Sequence, residues 1–131
     1  MALNKKIFDQ TLLGGSDSVY LRLNSINKTS FQITHPNTGT IVFRVSNSTN
    51  PVNITNPSQM ASIGWSDFPI FDLSIPGYVY SVDLSLPQFV SPTTLILECL
   101  NCEYMQIVVS GTGQYIVEQH INTLENYVRE D

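Results

Sequence analysis

Charge is scarce in this chain. Asp, Glu, Lys and Arg make up 13% of its 131 residues, about half the usual quarter. Six Lys and Arg stand against eleven Asp and Glu, a formal net charge of −5. That balance repels a phosphate backbone, so nucleic acid is not an expected partner. Long apolar runs are missing too: no stretch approaches the ~18 residues of a membrane span, and no membrane partner is expected. Lys5 and Lys6 precede Ile7 and Phe8, but no longer apolar run or small-residue cleavage site follows, so no secretory leader is expected. Cysteine is limited to Cys99 and Cys102, and histidine to His35 and His120. A single C-x-x-C without a second pair, with both histidines far away in sequence, argues against zinc. The pair lies among strand-forming residues, where no helix dipole lowers a thiol pKa, which argues against a redox centre. Structural cysteines or a bridge across a hairpin remain.

Abundant instead are Ser, Thr, Asn and Gln, together with β-branched and aromatic residues in short runs separated by Gly, Pro, Asn and Asp. Such spacing predicts an all-β domain, an antiparallel β-sandwich of jelly-roll type with about eight strands. Ser18 to Leu23 follows the Gly14-Gly15 breaker. Thr29 to His35 and Thr40 to Ser46 alternate apolar and polar around Pro36-Asn37-Thr38-Gly39, the pattern of a hairpin. Asn47 to Ser62, punctuated by Asn50-Pro51 and Asn56-Pro57, reads as a long exposed loop. Ile63 to Leu73 reads as an irregular strand interrupted at Pro69, and Tyr78 to Leu86 as a strand of weaker alternation. Thr93 to Cys99, Cys102 to Ser110 and Gln114 to Ile121 predict a closing three-stranded meander. Leu95-Ile96-Leu97 and Ile107-Val108-Val109, apolar on both faces, read as central strands. Residues 122–131 form an acidic tail or a short helix capped by Asn122, with Glu125 in capping-box position. The expected organisation is an arm at 1–13, a sandwich at 14–121 and this tail.

Chemistry-bearing constellations are sparse. Neither histidine neighbours a nucleophile motif, and both read as turn or edge residues. Asp67, Asp72 and Asp83 fit turns and strand exteriors better than a paired-carboxylate site. Ser110-Gly111-Thr112-Gly113-Gln114 lacks a P-loop lysine and a following helix, and reads as a hairpin turn. No catalytic, cofactor or metal residues are expected. Trp65, with Tyr78 and Tyr80, could line a sugar platform in a carbohydrate-binding module, the main alternative reading. A small enzyme ranks last.

The stretch from Leu100 to Val117, Leu-Asn-Cys-Glu-Tyr-Met-Gln-Ile-Val-Val-Ser-Gly-Thr-Gly-Gln-Tyr-Ile-Val, resembles the C-terminal signature of small β-sandwich structural proteins of tailed bacteriophages. In that group an aromatic-rich strand runs through Ser-Gly-Thr-Gly into a final strand. Gly39 to Ser48 and Trp65-Ser66-Asp67-Phe68 are similar to its upstream segments, in the same order, so the resemblance spans roughly residues 28–120. Cys102 stands where an aromatic is common, Gln106 where Arg is common, and the acidic tail is extra, so any contact of that Arg does not carry over. The resemblance implies a virion protein made in the host cytoplasm, a capsid decoration or head-associated component. Its partners would be other virion proteins such as a major capsid protein, and copies of itself. In such a protein Ile7, Phe8, Leu12 and Leu13, apolar yet ahead of the first clear strand, would dress an arm lying on a neighbouring subunit.

Overall fold

The computed structural model describes residues 2–23, 28–48, 53–71, 78–97 and 102–122. In chain order its elements are β1 (Ala2–Arg22), β2 (Thr29–Thr34), β3 (Thr40–Ser46), α1 (Pro57–Ser62), β4 (Ser66–Asp67), β5 (Ile70–Phe71), β6 (Tyr78–Val79), β7 (Val82–Asp83), β8 (Thr93–Leu97) and β9 (Tyr104–Asn122). All pairings are antiparallel, as the alternation predicts. They build one curled, open seven-stranded sheet, a half-barrel, beside a two-stranded β5-β6 ribbon.

The spine is the β1-β9 ribbon, paired from Ala2↔Asn122 to Arg22↔Tyr104. Its register shifts between Lys6 and Phe8 and again between Leu13 and Gly15, leaving Ile7 and Gly14 as extra residues on β1. Extra residues lengthen one strand against its partner and bend the ribbon. The second bulge coincides with a glycine corner contributed by both strands: Gly14 has φ +89° and Gly111 and Gly113 have φ +151° and +125°, while Gly15 pairs with Gly111 and Leu12 with Gly113. Two glycine clusters that read as a breaker and a hairpin turn are therefore opposite each other on one ladder. They bend the strands instead of ending them, because residues free of Cβ tolerate these φ values without losing the pairing on either side.

This corner reorganises several expected pairings. β2 and β3 do not form a hairpin; both add to the same edge of β9, β3 along Tyr104–Ser110 and β2 along Ile116–His120. The Pro36–Gly39 connection rounds the inside of the bend. Nor is there a C-terminal meander, since β9 continues through Ser110–Gln114 and β8 pairs with β2. β8 lies at the sheet margin, so Ile96 is 60% exposed and the expectation of a strand covered on both faces fails there. Residues 57–62 of the expected loop are helical: Asn56 caps α1 by accepting from the amides of Ser58 and Gln59, with Pro57 in the first turn, the Asn-Pro pairing that opens a helix. The expected arm boundary at residue 13 falls inside β1. The C-terminal helix and Cys99 lie outside the described residues, and Asn122 ends β9.

Curvature closes the core. Phe43 pairs with Ile107 and Phe31 with Gln119, positions that a straight strand would hold about 40 Å apart. The two rings nevertheless meet with centroids 5.3 Å apart, tilted by 34°. Around them Ile33, Ile41, Met105, Ile107, Tyr115 and Val117 are fully buried. A smaller cluster of Met60, Ile63 and Tyr104, joined by Tyr20, Ile54 and Trp65, forms where α1 and its flanks cover the outer face of β9.

Candidate functional site

The inside of the corner is pinned by Tyr115. Its buried hydroxyl donates to Thr38 O at 2.8 Å, and it fits because Gly39 and Gly111 leave the space a Cβ would occupy. Beside it His35 is buried. Its Nδ1 accepts from the Asn37 amide at 3.0 Å, which leaves Nε2 to donate to Thr93 Oγ1 at 2.8 Å. The His35 amide donates to Ser91 Oγ and the Ser91 amide to Asn37 Oδ1, so this turn clamps the 90–93 segment. Burial lowers the imidazole pKa below its ordinary 6.5. His35 is thus a neutral structural clamp at the expected turn, buried inside the fold. His120 is exposed, with Nδ1 2.6 Å from Asn4 Oδ1. Among the described residues no group of three or more His, Cys, Asp and Glu gathers to hold a metal.

The carboxylates serve local structure. Asp67 pairs with Arg44 at 3.1 Å, while Asp83 accepts from the amide and hydroxyl of Ser85, bonds that hold its pKa below the usual value. They flank opposite ends of β3, against Arg44 and Thr40, about 13 Å apart, beyond the spacing of a glycosidase pair. Asp72 lies outside the described residues. Cys102 is a free, half-buried thiol whose pKa burial raises, against a lowering bond with Asn47, the reverse of an activated nucleophile.

Trp65 does not join a platform with Tyr80. Its indole donates to Met60 O at 2.9 Å and its ring lies 5.8 Å from Tyr20, fastening α1 to the sheet beside β4. Tyr80, 57% exposed, adjoins β7 at the other end of β3, and the side chain of Tyr78 is outside the described set. Nearby, the Arg22 guanidinium lies 5.4 Å above the Tyr104 ring. Gln106 Nε2 reaches the hydroxyls of Tyr20 and Ser18 at 3.3 and 3.5 Å, and its other amide atom is buried without a partner.

What faces outward is strand edge and polar sheet face. β1 has β9 on one side and, among the described residues, nothing hydrogen-bonded along the other. Of the four arm residues, Phe8 and Leu12 are 6% and 9% exposed and belong to the chain's own core, Ile7 packs against it, and Leu13 is 90% exposed. Lys6 pairs with Asp9 at 3.4 Å; Asp9 also accepts from Gln114 at 3.0 Å, the main reason its pKa falls. On the outer face of β1, β9, β2 and β8, the registers set Asn4, His120 and Ser30 in one row and Glu118, Gln32 and Thr94 in the next. They line a shallow depression of about 380 Å³. Sequence reasoning missed this surface because it follows from which strands are neighbours, and the misread glycine corner had separated them.

No helix among the described residues is long and apolar enough to cross a membrane. No family model matches the chain, and no curated protein matches it. Among solved structures, the crystal structure of the SPBc2 prophage-derived protein YomS superposes with a TM-score of 0.61 over 92% of this chain and 91% of that one, at 7% identity. At that identity the likeness is one of architecture: over nearly its whole length, this chain has the same fold as a prophage-derived protein.

Proposed function

We propose that the chain is a structural virion protein of a tailed phage, a capsid decoration or head-associated component, and not an enzyme. The observation that carries this reading is the fold shared end to end with a prophage-derived protein. The chain's own chemistry is consistent with it. Buried His35 and the carboxylates of Asp9, Asp67 and Asp83 are spent on internal bonds, whereas the outward surface is a long strand edge and a sheet face mostly of Asn, Ser, Gln and Thr, around Glu118 and His120. Neutral polar faces of this kind pack against neighbours at low desolvation cost, and many weak contacts on a lattice add through avidity. The partners are other virion proteins, such as a major capsid protein, and further copies of the chain; nucleic acid and membrane are not among them.

Mass spectrometry of particles purified through a density gradient tests the reading. The chain is expected in the particle band at a copy number that is a simple multiple of the lattice symmetry. Complete absence from intact particles, with the chain abundant in the infected cell, would overturn it.

A further inference from the structure

We infer that the free edge of β1 pairs with the same edge of a second copy, antiparallel, about a two-fold axis at Thr11. The inference rests on the reading of a protein that works through subunit contacts and specifies one of them. Two ion pairs at this ribbon are already made, Lys6 with Asp9 and Arg22 with Glu103, and Glu118 on β9 lies on the face opposite Lys5, whose ladder partner is Gln119. Lys5 and Asp17 are exposed and carry no ion pair among the described residues. With Thr11 facing its symmetry mate, Lys5 of each copy faces Asp17 of the other, so both charges are satisfied twice. Centring the axis on Leu13 instead would set Asp9 against Asp17 twice, a like-charge register.

The bulges agree with this register independently. Extra residues on an edge strand ordinarily spoil pairing with another strand. About Thr11, however, Ile7 faces Gly15 and Phe8 faces Gly14, so each bulge of one copy meets a bulge of the other, and the regular stretch 9–13 pairs with itself. Faces also match. Between Thr11 and either charged residue lies one bulge, each reversing the side-chain alternation once, so Lys5 and Asp17 emerge on the same side of the joined sheet. Leu13, almost fully exposed in the single chain, comes to rest beside Thr11 and Asp9 of the second copy. The partner is thus another molecule of this chain, and the product a sheet continuous across two half-barrels, with an isologous interface.

Sedimentation equilibrium of the full chain and charge-swapped variants tests the inference. Wild type is expected to dimerise. Lys5→Glu and Asp17→Lys should each weaken dimerisation by about tenfold at low salt, an effect that shrinks as salt screens it, and Lys5→Glu/Asp17→Lys should restore it. In a Cys99→Ser/Cys102→Ser background, Thr11→Cys should form an intermolecular disulfide under mild oxidation. Leu13→Cys should not, because its symmetry mate lies four register positions away. A wild-type chain that stays monomeric at hundreds of micromolar overturns the inference, and so does a dimer indifferent to both single swaps or cross-linked equally at either position. A monomer still found in purified particles would sink this pairing alone, whereas a dimer absent from particles would sink the virion reading alone.

Discussion

Replacing Gly111 by alanine is expected to destabilise the fold through one atom. A Cβ there would lie well inside 3.0 Å of the Tyr115 hydroxyl and 3.1 Å from Gly39 Cα, at a φ of +151° that L-residues rarely adopt. Backbone strain of this kind costs about 1–3 kcal/mol and overpacking a filled core a similar amount. Together they give about 2–6 kcal/mol, a large share of the stability of a domain this size. Tyr115→Phe alone should cost about 1 kcal/mol, the net worth of its bond to Thr38 O. Because the hydroxyl is the worst clash, Gly111→Ala/Tyr115→Phe should be less destabilised than the sum of the single variants by at least about 1 kcal/mol. Gly39→Ala should show less rescue, since its Cβ also meets Ser110 O at 2.5 Å, and that backbone atom remains. Urea unfolding of the five proteins with wild type measures this. Strict additivity for the Gly111 pair, or a Gly111→Ala variant within 1 kcal/mol of wild type, would refute the picture of a hydroxyl seated between two glycines.

Three further outcomes follow from the same geometry. His35 is buried with a depressed pKa, so below its unfolded pKa of about 6.5 the unfolded chain binds the extra proton more readily. Stability should therefore decline as pH falls through and below 6.5, and urea midpoints between pH 7.5 and 5 should fall more steeply in wild type than in His35→Gln. Asn56→Ala removes the cap of α1 and should cost about 1 kcal/mol. The sole tryptophan, Trp65, is fastened to that helix, so its emission should shift to the red in this variant. Phe8→Ala should cost about 3–5 kcal/mol by denaturant unfolding, whereas Leu13→Ala should stay within about 0.5 kcal/mol; equal and small effects would contradict the placement of Phe8 in the core.

Alternation made most strands legible. Phe31 and Ile33 in β2, Ile41 and Phe43 in β3, and Ile107 and Val109 in β9 are buried on every second residue, which only strand geometry allows. Connectivity was harder to read, because local signals at a glycine pair have two physical outcomes. Gly14-Gly15 and Gly111-Thr112-Gly113 carry the φ freedom of a turn, and that freedom serves equally well for a bend in a continuous ladder. The choice is made by the pairing of residues nearly a hundred positions apart, which no local window contains. The same long-range pairing recruited residues 2–13 into the sheet: Lys5, Lys6 and Asp9 obscured a strand whose buried positions, Phe8 and Leu12, lie four apart with exposed Gln10 between them, in the regular stretch between two bulges. Asn56-Pro57 carries a helix start in its sequence, masked by the surrounding Asn, Thr and Ser, which are the composition of a loop. Surfaces were the least legible part, since the row of Asn4, His120 and Ser30 exists only once β1, β9 and β2 are neighbours.

The central claim is that residues 2–22 form one strand of the chain's own sheet, bent with β9 at a shared glycine corner. Removing residues 2–13 and following thermal unfolding by near-ultraviolet circular dichroism tests it most directly. The truncated chain should lose the fixed aromatic environment around Phe31, Phe43 and Tyr115 and melt without a cooperative transition. A truncated chain that keeps its spectrum and a sharp melt within a few degrees of the full chain would contradict the claim and make those residues an appendage.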